Sequence, residues 1–252
     1  MTVAPQATGA REIGGWRSYG PYAARPLDGE PALRASGLTL RYEGRTAPAV
    51  DDLSFEVARG ECVLLLGDNG AGKSSLLKMA AGLLAPNAGS VTVFGLPVGW
   101  CRASVAYVPQ RGELDWDFPI DVRGLVATGR HVHRGWFGRM SALDRERIDG
   151  AIERLGLTDL VRSQIGQLSG GQQQRTLVAR ALAQDAELLL VDEPTNSMDA
   201  SSVATLGRVL GDCVAQGRTV VMATHDAERF RSVGTRVVRL DRGRIASEER
   251  SR

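Results

Sequence analysis

The sequence predicts an α/β fold built on a mainly parallel sheet, and two patterns carry this prediction. Apolar runs of strand length alternate along the chain with stretches of high helix propensity. Several of these runs are apolar throughout, as expected of strands that helices cover on both faces of a parallel sheet. In such a sheet, ligands bind at the carboxyl ends of the strands.

The individual elements follow from local patterns. Alternating apolar residues predict half-buried strands, continuous apolar runs predict buried strands, and segments of good helix formers predict helices. The predicted strands lie at residues 38–42, 53–57, 62–66, 91–94, 105–108, 188–191, 220–223 and 237–240. The predicted helices lie at residues 74–81, 121–130, 141–155, 172–183 and 200–214. The turn sequence at 241–244, Asp-Arg-Gly-Arg, predicts a hairpin into a short final strand.

Two segments depart from this alternation. Residues 1–34 are interrupted by Gly and Pro and hold few large side chains that could anchor them, which predicts an N-terminal extension that is flexible or lies over the body. The folded domain is expected to cover residues 35–252. Within it, residues from about 118 to 183 show helical patterns and few strand-like runs, which predicts an inserted helical subdomain.

The composition excludes several classes of function. The formal charge of +2 on 252 residues gives no general affinity for nucleic acid, and no nucleic-acid partner is expected. The chain lacks the ~18–20 consecutive apolar residues that span a bilayer, so any membrane role requires a separate partner. Three widely spaced cysteines match no disulfide or zinc pattern, and they are predicted to be reduced structural thiols: Cys62, Cys101 and Cys213.

A glycine-rich loop directly follows the predicted buried strand at 62–66. Its glycines allow backbone N–H groups to approach phosphate oxygens without a Cβ in the way, and the helix that follows adds its positive N-terminal end. Lys73 supplies a charge for the terminal phosphates, and Ser74 supplies an oxygen ligand for Mg²⁺. The loop and its continuation read Gly67, Asp68, Asn69, Gly70, Ala71, Gly72, Lys73, Ser74 and Ser75.

Two carboxylates follow the apolar run at 188–191. Asp192 is expected at the end of a strand, where it can hold the hydration shell of Mg²⁺. Glu193 is then positioned to polarise an attacking water as a general base. An acidic strand end is common by itself, but its position downstream of a phosphate-binding loop, with Pro194 directly after it, favours a hydrolytic site.

With these motifs the chain resembles the ATP-binding subunits of ATP-binding cassette (ABC) transporters, over roughly residues 38–245. The resemblance implies a P-loop NTPase core with a mainly parallel sheet, an antiparallel β subdomain and an inserted α-helical subdomain. It also implies roles for residues outside the two main motifs. Tyr42 matches the aromatic residue that stacks on adenine, Gln110 a glutamine that contacts Mg²⁺, and His225 a histidine near the terminal phosphate.

The segment Leu168-Ser169-Gly170-Gly171-Gln172 resembles the signature motif of the family. Its serine and glycines open a helix, so they form a second anion-binding end. Because the chain already has one phosphate-binding loop, the second is useful if it covers the nucleotide of a neighbouring subunit. The resemblance implies this arrangement, a head-to-tail homodimer with two ATP molecules between the subunits and residues 196–199 in the dimer-contact loop.

The segment 107–119 and its continuation to 169 resemble the ATPase subunits of bacterial importers for manganese, zinc or iron. This resemblance implies integral membrane permease subunits, an extracytoplasmic substrate-binding protein and a position at the cytoplasmic face of the cell membrane. Three alternatives stay open: an importer of iron chelates or haem, a soluble ABC ATPase, and a catalytically silent interaction subunit. The pair His131 and His133 is interpreted as a surface pair in a loop, because no carboxylate or cysteine completes a metal site.

Overall fold

A computed structural model of the chain describes residues 24–134, 138–195 and 198–250. In these residues the strands are β1 (Leu33–Leu40), β2 (Val50–Val57), β3 (Cys62–Leu66), β4 (Ala88–Val93), β5 (Leu96–Pro97), β6 (Val105–Val108), β7 (Leu188–Asp192), β8 (Thr219–Ala223), β9 (Arg236–Asp241) and β10 (Arg244–Arg250). The helices are α1 (Lys73–Ala80), α2 (Val122–Thr128), α3 (His131–Arg134), α4 (Ala142–Arg154), α5 (Gly170–Gln184) and α6 (Ala200–Ala215). Within this described part of the chain, no helix is long and apolar enough to cross a membrane.

The larger sheet has six strands in the order β10-β9-β3-β8-β7-β6. All neighbouring pairs are parallel except β9 and β10, so the predicted mainly parallel sheet is confirmed. Ala223 at the end of β8 pairs with both Leu65 of β3 and Asp192 of β7. The residues that follow these three strands therefore leave the sheet at one edge.

The smaller sheet is antiparallel and has the order β2-β1-β4-β5, as the family resemblance implied. Its first strand begins at Leu33, inside the segment predicted as an extension, and Ala32 and Leu33 are fully buried. Much of that predicted extension lies outside the described residues. The same strand ends at Leu40, so the prediction that it reaches Tyr42 is wrong. The backbone turns there, with a hydrogen bond from Arg45 N to Tyr42 O of 3.1 Å.

The core lies on both faces of β3, whose five residues are all buried. Leu64 packs toward α5, α6 and the helical subdomain, whereas Val63 and Leu65 pack toward α1 and the antiparallel sheet. This alternation follows from the two-residue period of a strand. The strand is thus held from both sides, and the loop that follows it starts from a fixed position.

The helical subdomain consists of α2 to α5, between β6 and β7. Asp121, Ser141 and Ser169 cap α2, α4 and α5 through their side-chain oxygens. The prediction that His131 and His133 lie in a loop is wrong, because they form the single turn α3. The Nε2 atom of His133 lies 2.7 Å from Gln184 O at the end of α5, a long-range contact that local sequence does not reveal.

A buried ion pair joins the ends of three helices in this subdomain. Arg130 follows α2, and its Nε donates to Asp144 Oδ1 of α4 at 2.8 Å. Its Nη1 donates to the carbonyls of Ala183 and Gln184 at 3.0 and 3.2 Å, which satisfies the C-terminal end of α5. Burial acts to raise the pKa of Asp144, but hydrogen bonds from Ser141 and Arg130 hold it well below its usual range.

We expect Asp144→Asn to lower the free energy of unfolding at neutral pH by about 3 kcal/mol, because it leaves the Arg130 charge buried without its partner. A pKa that is lowered in the folded state contributes stability above the unfolded-state value of about 3.9. That contribution is lost as the pH falls below it. The difference between wild type and variant in urea unfolding should therefore shrink below about pH 4.

The matched control is Asp149→Asn. Asp149 pairs with Arg123 in an exposed ion pair on the same helix as Asp144. Its loss should change the free energy of unfolding by about 0–1 kcal/mol. Equal effects of the two substitutions would show that the buried pair does not hold the subdomain together.

Candidate nucleotide-binding site

The glycine-rich loop follows β3 and leads into α1, as the sequence predicted. Gly67 and Gly72 have φ angles of 146° and 104°, which disfavour other residues. A Cβ on Gly67 would lie 2.4 Å from Leu240 O, and one on Gly72 would lie 2.4 Å from Ala49 O. The two glycines therefore let the loop pack against neighbouring backbone, while the N-terminal amides of α1 stay available for an anion.

Lys73 lies at the start of α1 and is only 3% exposed. Its Nζ donates to Gly67 O at 2.7 Å and to Asp68 O at 3.1 Å, so the loop folds around the ammonium group. The same atom lies 3.2 Å from Glu193 Oε1. The positive charge of the loop and the carboxylate after β7 thus form a buried ion pair.

Asp192 and Ser74 form a second contact between the same two elements. Ser74 Oγ donates to Asp192 Oδ1 at 3.0 Å, and the hydroxyl of Tyr107 donates to Asp192 Oδ2 at 3.3 Å. Burial raises the pKa of Asp192, and these two hydrogen bonds act in the opposite direction. The sequence indicated Tyr107 only as a strand residue, since nothing local shows that its hydroxyl reaches β7.

Glu193 has a strained backbone, with a φ angle of 43° in a residue that is not glycine. Its amide donates to Ala223 O at 3.0 Å, which fixes the turn after β7 against the end of β8. His225 follows β8, and its Nε2 lies 3.0 Å from Glu193 Oε2. The His225 side chain is 44% exposed, so it can reach a ligand from the solvent side.

These side chains face a cleft of about 1290 Å³. Tyr42 lies on its wall, with its hydroxyl 3.0 Å from Ser75 Oγ. The predicted site residues that line the cleft are Tyr42, Asn69, Gly70, Gly72, Lys73, Ser74, Ser75, Gln110, Glu193 and His225. Gly67, Asp68, Ala71 and Asp192 support these residues without lining the cleft itself.

The predicted signature residues are not brought into this cleft. Ser169 is exposed, and none of the residues 169–172 is among the described residues that line the cleft. Ser169 N donates to Gln172 Oε1 at 2.8 Å, and Gln172 N donates to Ser169 Oγ at 3.4 Å, which is a capping box at the start of α5. Two of the predicted dimer-contact residues, Asn196 and Ser197, lie outside the described part of the chain.

Sequence reasoning missed one wall of the cleft. This wall consists of the loop between β1 and β2, the start of β2, and the turn between β9 and β10. Its residues are Gly44, Arg45, Thr46, Ala47, Pro48, Ala49, Asp51 and Arg242. The turn was predicted from its Asp-Arg-Gly-Arg sequence, but nothing local places it beside the glycine-rich loop.

The comparisons agree with this geometry. Residues 50–196 match the family model described as ABC transporter. The chain belongs to the ABC transporter family. It is an ATPase of that family, with ATP as its nucleotide, and the predicted family, fold class and enzyme class are confirmed.

Two relatives and one solved structure illustrate the similarity. The zinc transport system ATP-binding protein TroB of Treponema pallidum is 40% identical over 210 residues, which is 83% of this chain and 78% of TroB. The manganese transport system ATP-binding protein MntB of Halalkalibacterium halodurans is 36% identical over 216 residues, 86% of this chain and 85% of MntB. The dimeric structure of MJ0796, a bacterial ABC transporter cassette, has a TM-score of 0.77 and 26% identity, covering 87% of this chain and 99% of that one.

Because Lys73 is paired with Glu193, removing the carboxylate is predicted to change the affinity for ATP. Glu193→Gln removes the carboxylate that competes with phosphate for Lys73, so ATP should bind about fivefold more tightly, corresponding to about 1 kcal/mol. Isothermal titration calorimetry without divalent cation measures this while preventing hydrolysis.

The control is Glu113→Gln, which neutralises the partner of the other lysine of α1, since Lys78 Nζ lies 2.8 Å from Glu113 Oε1. That variant should leave ATP affinity unchanged. Unchanged or weaker affinity in Glu193→Gln would contradict the competition between carboxylate and phosphate.

Proposed function

We propose that two copies of this chain form a head-to-tail homodimer that binds two ATP molecules and energises the import of a divalent metal ion. The observation that carries this proposal is a division of the site. In the cleft, Lys73 of the phosphate-binding loop and His225 each lie within hydrogen-bonding distance of the same carboxylate, that of Glu193. The exposed start of α5, by contrast, lies apart from that cleft.

Several residues of the cleft have proposed roles in ATP binding. The backbone N–H groups of residues 67–74 surround the phosphates, and Lys73 binds the terminal phosphates. Tyr42 stacks its ring on adenine. His225 contacts the terminal phosphate from the exposed side of the cleft, where its side chain is 44% exposed.

The oxygen donors of the cleft fit Mg²⁺. Ser74 Oγ and Asp192 Oδ1 lie 3.0 Å apart, and Gln110 lines the same cleft. Mg²⁺ prefers oxygen ligands and usually takes only one or two from the protein, with waters and phosphates completing its shell. We assign Ser74, Asp192 and Gln110 to this ion, which supplies charge neutralisation for the phosphates when bound.

Glu193 is the proposed general base. Its carboxylate accepts the proton of the water that attacks the terminal phosphate. One of its oxygens lies 3.2 Å from Lys73 Nζ and the other lies 3.0 Å from His225 Nε2. The phosphates of ATP compete with this carboxylate for Lys73, so ATP binding weakens the contact between Lys73 and Glu193.

The signature residues Ser169, Gly170, Gly171 and Gln172 are proposed to complete the site of the second subunit. Glycines at the start of a helix leave backbone N–H groups open to an anion. Ser169 is exposed, so a second chain can reach it. The dimeric structure of the similar cassette supports this arrangement.

The cargo and the further partners are inferred from the relatives. Relatives that are 36–40% identical are named for the transport of manganese or zinc, so we propose a divalent metal of this kind. Because these relatives are named as ATP-binding proteins of transport systems, we propose that integral permease subunits form the path for the metal. We place the ATPase at the cytoplasmic face of the membrane, with an extracytoplasmic binding protein delivering the metal to the permease.

Mixing two inactive variants tests the divided site. Lys73→Ala removes the phosphate contact of the cleft, and Ser169→Arg obstructs the signature. Each variant alone should be inactive, whereas an equal mixture should recover about a quarter of wild-type hydrolysis. Half of the dimers are then mixed, and each mixed dimer holds one intact site.

The control for this experiment is Ser141→Arg, which removes the equivalent capping box of α4. It should retain hydrolysis, so that a loss in Ser169→Arg cannot be attributed to capping alone. No recovery in the mixture would contradict the head-to-tail arrangement.

Replacing the natural gene with the Glu193→Gln form tests the coupling to metal import. Purified Glu193→Gln protein should hydrolyse ATP at least about 100-fold more slowly than wild type, because its general base is lost. Cells that carry it should take up radioactive manganese or zinc no faster than cells that lack the gene. Normal hydrolysis would exclude Glu193 as the base. Normal uptake of manganese and zinc would contradict the proposed cargo. If uptake of an iron chelate were impaired instead, the cargo would be that chelate, and if no uptake were impaired, the chain would not energise metal import.

A further inference from the structure

The turn between β9 and β10 holds an arginine in a strained conformation. Arg244 pairs with Asp241, so the loop between them has only two residues, Arg242 and Gly243. Their φ angles are 45° and 80°. Two-residue hairpins of this kind favour Asn, Asp or Gly at the first loop position. A positive φ angle brings Cβ close to the following carbonyl oxygen, a cost that Gly avoids and that Asn and Asp offset through local hydrogen bonds. The hairpin between β4 and β5 also has a bulky residue at this position, Phe94 with a φ angle of 50°. Phe94 is buried in the core, so packing accounts for it, whereas Arg242 is exposed and has no such packing.

The same turn is fixed directly to the nucleotide cleft. Gly243 N donates to Ala71 O of the glycine-rich loop at 3.0 Å. Gly243 O accepts from Asp51 N, also at 3.0 Å. A Cβ on Gly243 would lie 2.9 Å from Ala49 O, so no larger residue fits there. These contacts hold Arg242 in the wall of the cleft, beside the phosphate-binding loop.

The two arginines of the turn differ in their partners. Arg244 donates to Asp51 Oδ2 through Nε at 2.9 Å and through Nη2 at 2.8 Å. The Arg242 side chain makes no hydrogen bond or ion pair with the described residues. Solvated arginines are common on protein surfaces, but their side chains give no reason for a strained backbone. Backbone strain is enriched at functional sites. Of the five non-glycine residues with positive φ angles in the described part of the chain, two line the cleft, Glu193 and Arg242.

We infer that Arg242 is a further nucleotide-binding residue, whose guanidinium group binds the phosphate chain of ATP in this cleft. A guanidinium presents several N–H donors in a planar fork that matches phosphate oxygens. Lys73 is buried and surrounded by loop carbonyls, whereas Arg242 is exposed and approaches from the wall formed by the turn. This inference rests on the proposal that the cleft binds ATP.

Substitutions at Arg242 separate a ligand contact from a structural role. Asn and Gly both suit the positive φ angle, so Arg242→Asn and Arg242→Gly should fold with melting temperatures equal to or above that of the wild type. Both should nevertheless bind ATP about fivefold to tenfold more weakly in calorimetry without divalent cation. Arg242→Lys keeps the charge and should bind more tightly than Arg242→Asn. Adenosine has no phosphates, and its affinity should be the same for wild type and Arg242→Asn.

Two further variants complete the experiment. Arg239→Ala removes an exposed arginine of β9 outside the cleft lining and should bind ATP like the wild type.

Lys73→Ala tests the cleft itself. Wild-type ATP affinity in Lys73→Ala would overturn the proposed ATP site and this inference with it. Lost affinity in Lys73→Ala combined with wild-type affinity in Arg242→Asn and Arg242→Gly would overturn this inference alone. Equal weakening for ATP and adenosine would also overturn it, because the effect would then be structural.

Discussion

The buried ion pair between Lys73 and Glu193 is the interaction on which the site depends. Its two members are far apart in the sequence. They meet because β3, β8 and β7 are adjacent and parallel. The loop, the histidine and the carboxylates lie at the carboxyl ends of these strands, and therefore at the same edge of the sheet. A charged pair that is 3% and 9% exposed is costly to bury without good geometry. The hydrogen bonds from Lys73 to the loop carbonyls supply that geometry, so the cleft is organised around this buried ion pair.

The sequence predicted the parts of the site that follow directly from buried strands. The glycine-rich loop and the pair Asp192-Glu193 each lie next to an apolar run, and the run itself predicts where the side chains leave the sheet. Family resemblance extended this to Tyr42, Gln110 and His225, which the structure brings to the same cleft. The assignment of roles to these residues stays a prediction, because their position in a cleft does not by itself show what each one binds.

The parts that could not be predicted depend on contacts between distant segments. Tyr107 contacts Asp192 across neighbouring strands, and Arg242 reaches the cleft only because its turn bonds to Ala71. Likewise, His133 of the turn α3 contacts Gln184 O at the end of α5. In each case the local sequence is compatible with several conformations, and tertiary hydrogen bonds select one of them. The strained φ angles of Glu193 and Arg242 have the same origin, since local preference opposes both.

Hydrogen bonds also connect the cleft to α5, the helix that the signature segment begins. Gln110 lines the cleft, and the next residue, Arg111, donates through Nε to Gln173 Oε1 of α5. Gln173 is buried, and its Nε2 donates to Ile165 O at 3.1 Å, just before the signature segment. The chain segment that leaves the cleft is therefore bonded to the beginning of α5. These contacts form a continuous path from the cleft to the start of α5 within one chain. In the proposed dimer, this path would connect the cleft that holds one ATP molecule to the signature segment that the same chain offers to the other ATP molecule.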